Sequence, residues 1–148
     1  MHLPNGYFAI LYREASSRTI GVRFPEHPGV VTYGSTWDEA RDNAREALSA
    51  ALETDYERGY QLPAARRHKA RRGERVIFVQ LDPEVLTAYL LRSWREESGL
   101  TQQALAKRLG ISYQAYQRME RPGRSNLTVA TLEKVASALG RKLVIGLA

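Results

Sequence analysis

Hydrophobic positions form a run at residues 7–12, alternate with polar ones at residues 19–24 and change to a helical period after residue 35. Residues 7–13, YFAILYR, are rich in aromatic and β-branched side chains, which predicts a strand. Residues 14–18 are small and polar and suit a hairpin turn. Residues 19–24, TIGVRF, place Ile20, Val22 and Phe24 on one face of a second strand. Pro25, Pro28 and Gly29 break the chain before a third short strand at residues 30–33, which Gly34 ends. Thr36 with Glu39 three residues later forms a capping box. Trp37, Ala40, Ala44, Ala47, Leu48, Ala51 and Leu52 then recur at helical spacing, with Asp38, Glu39, Asp42, Glu46 and Glu53 on the other side. This helix is expected to reach about Glu57 and to end near Gly59. Three strands and one long amphipathic helix predict a sheet with a helix packed on it.

The pattern differs further along. Residues 64–75, AARRHKARRGER, have no apolar period and read as a basic linker, either a solvated tether or an arm that orders on phosphates. Residues 75–81, RVIFVQL, are a strong strand. Asp82 and Pro83 open a helix whose core face carries Val85, Leu86, Tyr89, Leu90 and Trp94. Residues 101–120 then read as two short helices joined by a tight turn. Thr101 caps the first, Leu105, Ala106 and Leu109 share its inner face, and Gly110 supplies a positive φ. Ser112 caps the second helix, with Ile111, Tyr116 and Met119 inward and Tyr113, Gln114, Gln117 and Arg118 outward. A plain helical hairpin would account for the apolar positions but not for that polar outer face, whose amides, phenol and guanidinium suit a major groove. Thr128 caps a further helix, with Leu127 and Leu132 placed to form a hydrophobic staple. Residues 142–147, KLVIGL, predict a terminal strand that pairs with a second copy or with residues 75–81, because so apolar an edge is a liability alone.

Charge separates the chain into parts with different partners. Residues 1–65 carry six basic and nine acidic side chains, residues 66–75 six and one, and residues 76–148 ten and six, which together make the net charge of +6. The domains are therefore set at residues 1–65, a basic linker at 66–75, and residues 76–148. The acidic first part is expected to repel nucleic acid and the basic remainder to meet phosphates. With no cysteine, disulfides and thiolate metal sites are excluded. No apolar run approaches a membrane span, and the start, MHLPNG, lacks a signal-peptide pattern, so the expectation is a cytoplasmic protein with no membrane partner.

Two resemblances sharpen this picture. Residues 101–120, with Ala106, the Gly110 turn, Met119 and Glu120, resemble the helix-turn-helix of the phage-repressor-like (Xre/Cro) family, over roughly residues 84–140. Phe24, Pro25, Pro28, Gly29, Thr32, Gly34, Glu39, Ala40, Asn43, Ala44, Ala47 and Leu48 resemble the N-terminal domain of HicB-type antitoxins, over about residues 6–63. Residues 13–18 depart from that family's Gly-rich acidic turn, and in the family reading the strand at residues 75–81 is the last of the N-terminal sheet or a dimer-forming strand. The implied fold is α+β: a partial ribonuclease H-like ββαβ-type sheet-plus-helix domain, then an all-α helix-turn-helix domain with a C-terminal strand.

The implied function is that of an antitoxin. Its first domain would bind and neutralise a HicA-type toxin, in this family a small basic mRNA-cleaving ribonuclease with a double-stranded-RNA-binding-like fold. Asp38, Asp42 and Glu46 are the candidate toxin contacts, with the alternative that they are simply solvated helix residues. Its second domain would bind operator double-stranded DNA and repress its own operon. Gln102, Ser112, Tyr113, Gln114, Gln117 and Arg118 are the candidate DNA residues, joined by Arg124 in the loop that follows. A homodimer or tetramer is expected, because a helix-turn-helix reads two half-sites. No cofactor or metal is expected: His2, His27 and His68 show no ligand spacing, and His27 reads as a surface turn residue. Ribonuclease H chemistry needs acidic residues converging on metal ions, and the first strand has none, so the domain reads as a non-catalytic scaffold. The alternative is a stand-alone repressor whose first domain senses a small ligand or only oligomerises.

Overall fold

The computed structural model describes residues 3–123 and 126–147. The chain forms β1 (Gly6–Arg13), β2 (Ile20–Phe24), β3 (His27–Gly34), α1 (Trp37–Glu57), β4 (Glu74–Gln80), α2 (Pro83–Glu97), α3 (Gln102–Leu109), α4 (Tyr113–Met119) and α5 (Val129–Ala138). It divides into two compact units at the Asp82–Pro83 junction. Among the described residues no helix is long and apolar enough to cross a membrane.

The first unit is a four-stranded antiparallel sheet of order β3-β2-β1-β4 with α1 across one face. Alternation decides which side chains meet the helix. Tyr7, Ala9 and Leu11 of β1 and Ile20, Val22 and Phe24 of β2 are fully buried, as are Ala40, Ala44, Leu48 and Leu52 of α1. Thr36 caps α1 by accepting from the Glu39 N–H at 3.1 Å, and the Glu39 carboxylate accepts from the Ser35 N–H at 2.6 Å. The expected capping box thus forms, displaced by one residue on its return bond. Gly34 permits the tight passage from sheet to helix, because a Cβ there would overlap the backbone of Glu39 and Ala40.

Three expectations need correction here. β3 starts at His27, not residue 30, so Pro28 and Gly29 lie within a strand. Proline is tolerated because β3 is an edge of the sheet. His27 is correspondingly buried, 7% exposed, with its ring edge-on to Tyr7 at 4.4 Å. The strand at the end of the basic run is β4, paired with β1 from Gly6↔Gln80 to Tyr12↔Glu74. The first unit therefore ends at Asp82 and not at residue 65.

Residues 60–73 are in consequence a crossover within the first unit, not a tether between units. The Tyr7 hydroxyl donates to the Pro63 carbonyl at 2.7 Å, and His68 Nε2 lies 2.8 Å from Glu26 Oε1. The Glu74 carboxylate accepts from the Arg71 N–H at 2.9 Å, closing the turn into β4. The charge division changes with this. Residues 1–82 hold twelve basic and eleven acidic side chains, so the acidic excess belongs to α1, with seven acidic and two basic residues, and not to the whole unit.

The second unit is helical. Leu91, Leu105, Ala106, Tyr116 and Val135 form its buried centre, with Trp94, Leu100, Leu109, Met119, Leu127, Leu132 and Leu139 packed round it. Ile111, expected inside, is 37% exposed, next to the left-handed turn at Gly110. Residues 141–147 form no strand. Among the described residues β4 pairs with β1 alone, so the expected pairing of residues 142–147 with residues 75–81 is absent.

Candidate nucleic-acid interface

The helix-turn-helix is built by local bonds at each end. Thr101 Oγ1 accepts from the Ala104 N–H at 3.1 Å and starts α3. Gly110 closes it with φ 69°, and the Ile111 N–H returns to the Ala106 carbonyl at 3.1 Å. Ser112 Oγ then accepts from the Ala115 N–H at 3.1 Å and starts α4. A Ser or Thr cap removes one unsatisfied donor and is worth about 1 kcal/mol.

One further contact fixes where α4 ends. Glu120 is 1% exposed, and its carboxylate accepts from Arg95 Nε at 2.9 and 3.2 Å and from Arg95 Nη2 at 2.7 Å. Arg95 Nη1 donates to the Leu100 carbonyl at 2.9 Å. The Glu120 bonds hold the Arg95 guanidinium above its ordinary pKa. This pair joins the last turn of α2 to the end of α4. Sequence reasoning placed Glu120 in the motif without finding its partner, since no local spacing connects residues 95 and 120.

The expected DNA-facing residues divide by exposure. Gln114 and Arg118, one turn apart on α4, are exposed. Tyr113 and Gln117 are half-buried and bonded to each other, Gln117 Nε2 donating to the Tyr113 hydroxyl at 3.1 Å. Ser112 is exposed but its hydroxyl is used as the cap. Gln102 is half-buried in the first turn of α3. Arg124 lies outside the described residues. Lys107, Arg121 and Lys134, which sequence reasoning did not single out, add exposed cations to a unit carrying ten basic and five acidic side chains.

The three acidic candidates on the first unit, Asp38, Asp42 and Glu46, are all exposed and one helical turn apart along α1. Arg45 on the same helix is neutralised by Asp82, at 2.6 and 2.8 Å, and Ser49 donates to the other Asp82 oxygen. The outer face of α1 is thus strongly negative. Among the described residues no group of three His, Cys, Asp or Glu is placed to hold a metal ion.

Comparison with known proteins accounts for both units. Residues 7–90 match the family described as the HicB-like antitoxin of bacterial toxin–antitoxin systems, and residues 91–145 match a helix-turn-helix family. The chain is 32% identical over 126 residues to Antitoxin HicB 1 of Photorhabdus laumondii, covering 85% of this chain and 77% of that protein. Similar solved structures include the N-terminal domain of the Burkholderia pseudomallei antitoxin HicB, 28% identical over 51% of this chain and 96% of that one, with a TM-score of 0.43. The fuller B. pseudomallei HicB structure is 19% identical over 71% of this chain and 95% of that one, with a TM-score of 0.46. A HicA3–HicB3 toxin–antitoxin complex contains a chain 23% identical over 53% of this chain and 99% of that one, with a TM-score of 0.43. The α+β sheet-plus-helix unit and the DNA-binding helix-turn-helix that follows it make this chain a member of the HicB-like antitoxin family.

Proposed function

We propose that the protein binds and neutralises a small HicA-type mRNA-cleaving ribonuclease through its first unit and represses its own operon through its helix-turn-helix. The observation that carries this reading is the union, in one chain, of a match to the HicB-like antitoxin family over residues 7–90 and a match to a helix-turn-helix family over residues 91–145. The acidic outer face of α1, with Asp38, Asp42 and Glu46, supplies a charge complement to a basic RNA-binding surface and would block it by occupation. α4 lies in the major groove, Gln114 pairing with adenine and Arg118 with guanine or a phosphate. Gln102 and Arg124 meet the DNA backbone, and Tyr113 and Gln117 act as one bonded unit beside the groove. The protein works as a homodimer or tetramer, is cytoplasmic, and performs no catalysis of its own.

The test is co-production of the full chain with a HicA-type toxin from the same host. Co-purification at a fixed ratio, with RNA cleavage suppressed, is the expected result. A toxin that cleaves RNA undiminished in the presence of the folded protein overturns the antitoxin half. Unaltered expression of the operon when the protein is deleted overturns the repressor half.

A further inference from the structure

The ends of β1 and β4 and the start of α1 border an open depression of about 670 Å3 on the first unit. Its lining brings together Arg13, Arg23, Arg72 and Arg75 with Tyr12 and Trp37. Residues separated by up to 63 positions in sequence meet here only because the basic crossover returns to the sheet.

Three of the four arginines are positioned by ring or carboxylate contacts. The Arg75 guanidinium stands 4.0 Å from the centre of the Trp37 ring and that of Arg13 stands 5.5 Å from it. Such contacts are favourable through the ring quadrupole and leave the guanidinium edge available. Arg23 stands 6.0 Å from the Tyr12 ring and is held at 3.1 Å by Glu74. Tyr12 is itself placed by a glycine, since it pairs with Gly21 on β2 and a Cβ there would overlap its ring. Glu74 is the one carboxylate in the lining, and it is used by Arg23 and by the Arg71 N–H. Among the described residues, no carboxylate lies within ion-pair distance of Arg13, Arg72 or Arg75.

Three guanidinium groups without an ion-pair partner round one depression make a positive field, and their forks match phosphate oxygens. Flat aromatic and guanidinium surfaces beside a phosphate site are the surfaces on which nucleobases stack. We propose that this depression binds a nucleotide, with its phosphate held by Arg13, Arg72 and Arg75 and its base against Tyr12. The nucleotide is either free or one unit of a single-stranded RNA, and both present the same phosphate and base. The site is independent of the antitoxin reading and lies on a different unit from α4.

The experiment uses the full-length protein labelled with 15N and follows the indole N–H signals of its two tryptophans, Trp37 and Trp94. Trp37→Phe assigns them. AMP, inorganic phosphate, an octaadenylate RNA and an oligoglutamate peptide are titrated separately. The expected result is a saturable movement of the Trp37 signal with AMP and with the RNA, at concentrations about tenfold below those needed for phosphate. Arg72→Ala, in an exposed turn, is expected to weaken both by about tenfold, with Arg72→Lys restoring part of the loss. Tighter binding of the RNA than of AMP identifies RNA as the source, and the reverse order identifies a free nucleotide. Three results overturn the proposal: no movement at Trp37, an equal response to phosphate or oligoglutamate, or affinity unchanged in Arg72→Ala. Binding of the RNA through the helix-turn-helix does not count, because that unit is read at Trp94.

Discussion

Arg95 and Glu120 are 25 residues apart in sequence, yet the Glu120 carboxylate is enclosed and receives three N–H contacts from the one guanidinium. Removing one partner of a buried pair leaves an uncompensated charge and costs about 3–5 kcal/mol. Glu120→Ala should therefore lower the chemical-denaturation stability of the second unit by that amount and weaken DNA binding with it. The double replacement Arg95→Met with Glu120→Leu should cost much less, because no charge is left buried. Equal losses in the two variants would show that packing, not charge, carries the contact.

Gly34 is where the sheet passes closest to the start of α1. Gly34→Ala drives a Cβ into the backbone of residues 39 and 40, and should destabilise the first unit by about 1–3 kcal/mol. Gly29→Ala on the same strand meets nothing within 4 Å and should change stability by less than about 0.5 kcal/mol. Paired thermal melts compare the two.

DNA binding should separate Gln114 from Arg118. Gln114→Ala should cost about 1–3 kcal/mol on the cognate operator and relax specificity at one position. If Arg118 contacts a phosphate, Arg118→Ala should weaken binding to all sequences and reduce the slope of log affinity against log salt by about 0.9. Tyr113→Phe should resemble a partial loss of Gln117, since the two side chains are bonded. Salt-dependent binding measurements on matched and mismatched duplexes distinguish these outcomes.

Burial lowers the pKa of His27 below its ordinary value, against the opposing charges of Asp55 and Glu26, and its Nε2 has no hydrogen-bond partner. The folded state thus favours the neutral ring, while the unfolded chain takes up a proton near pH 6.5. The stability that His27 contributes is complete above about pH 6.5 and is lost as the pH falls through the lower folded-state value. Urea midpoints should decline from pH 7.5 to pH 5.5, and His27→Phe, which keeps the ring beside Tyr7, should flatten that decline.

Val144, Ile145 and Leu147 are 83%, 64% and 104% exposed, an unusual run of apolar side chains for a surface segment. If the proposed homodimer forms through this segment, Val144→Asp should shift the sedimentation equilibrium toward monomer while leaving the melting of the first unit unchanged. An unaltered association constant would place the dimer contact elsewhere.

The sequence made the local chemistry legible and the long-range closures only in part. The caps at Thr36, Thr101, Ser112 and Thr128 are read within three residues, and all four form. The core faces of β2 and α1 follow from period alone. The basic run misleads because composition cannot show where its ends attach. Tyr7 to Pro63, His68 to Glu26 and the β1–β4 ladder each join residues more than 40 positions apart. The arginine-lined depression was hidden for the same reason, since its arginines are ordinary charged side chains until the crossover gathers them beside Tyr12 and Trp37. Pro28 misled in the opposite direction, because a strand-breaking residue becomes acceptable once its strand proves to be an edge.

The crossover also decides how the molecule can be taken apart. Arg66, Arg67, Lys69, Arg71 and Arg72 are exposed and lie in chain without helix or strand, so trypsin meets its densest run of cleavage sites inside the first unit. Cutting there does not free two domains. It leaves a nicked unit whose last strand stays attached through seven paired positions, Gly6↔Gln80 to Tyr12↔Glu74. A fragment ending at residue 65 would lack that strand and present β1, the sheet's own centre, as an open edge prone to aggregation. Severing the chain after Asp82 instead keeps the sheet whole, together with the bonds from Arg45 and Ser49 that hold its final residue.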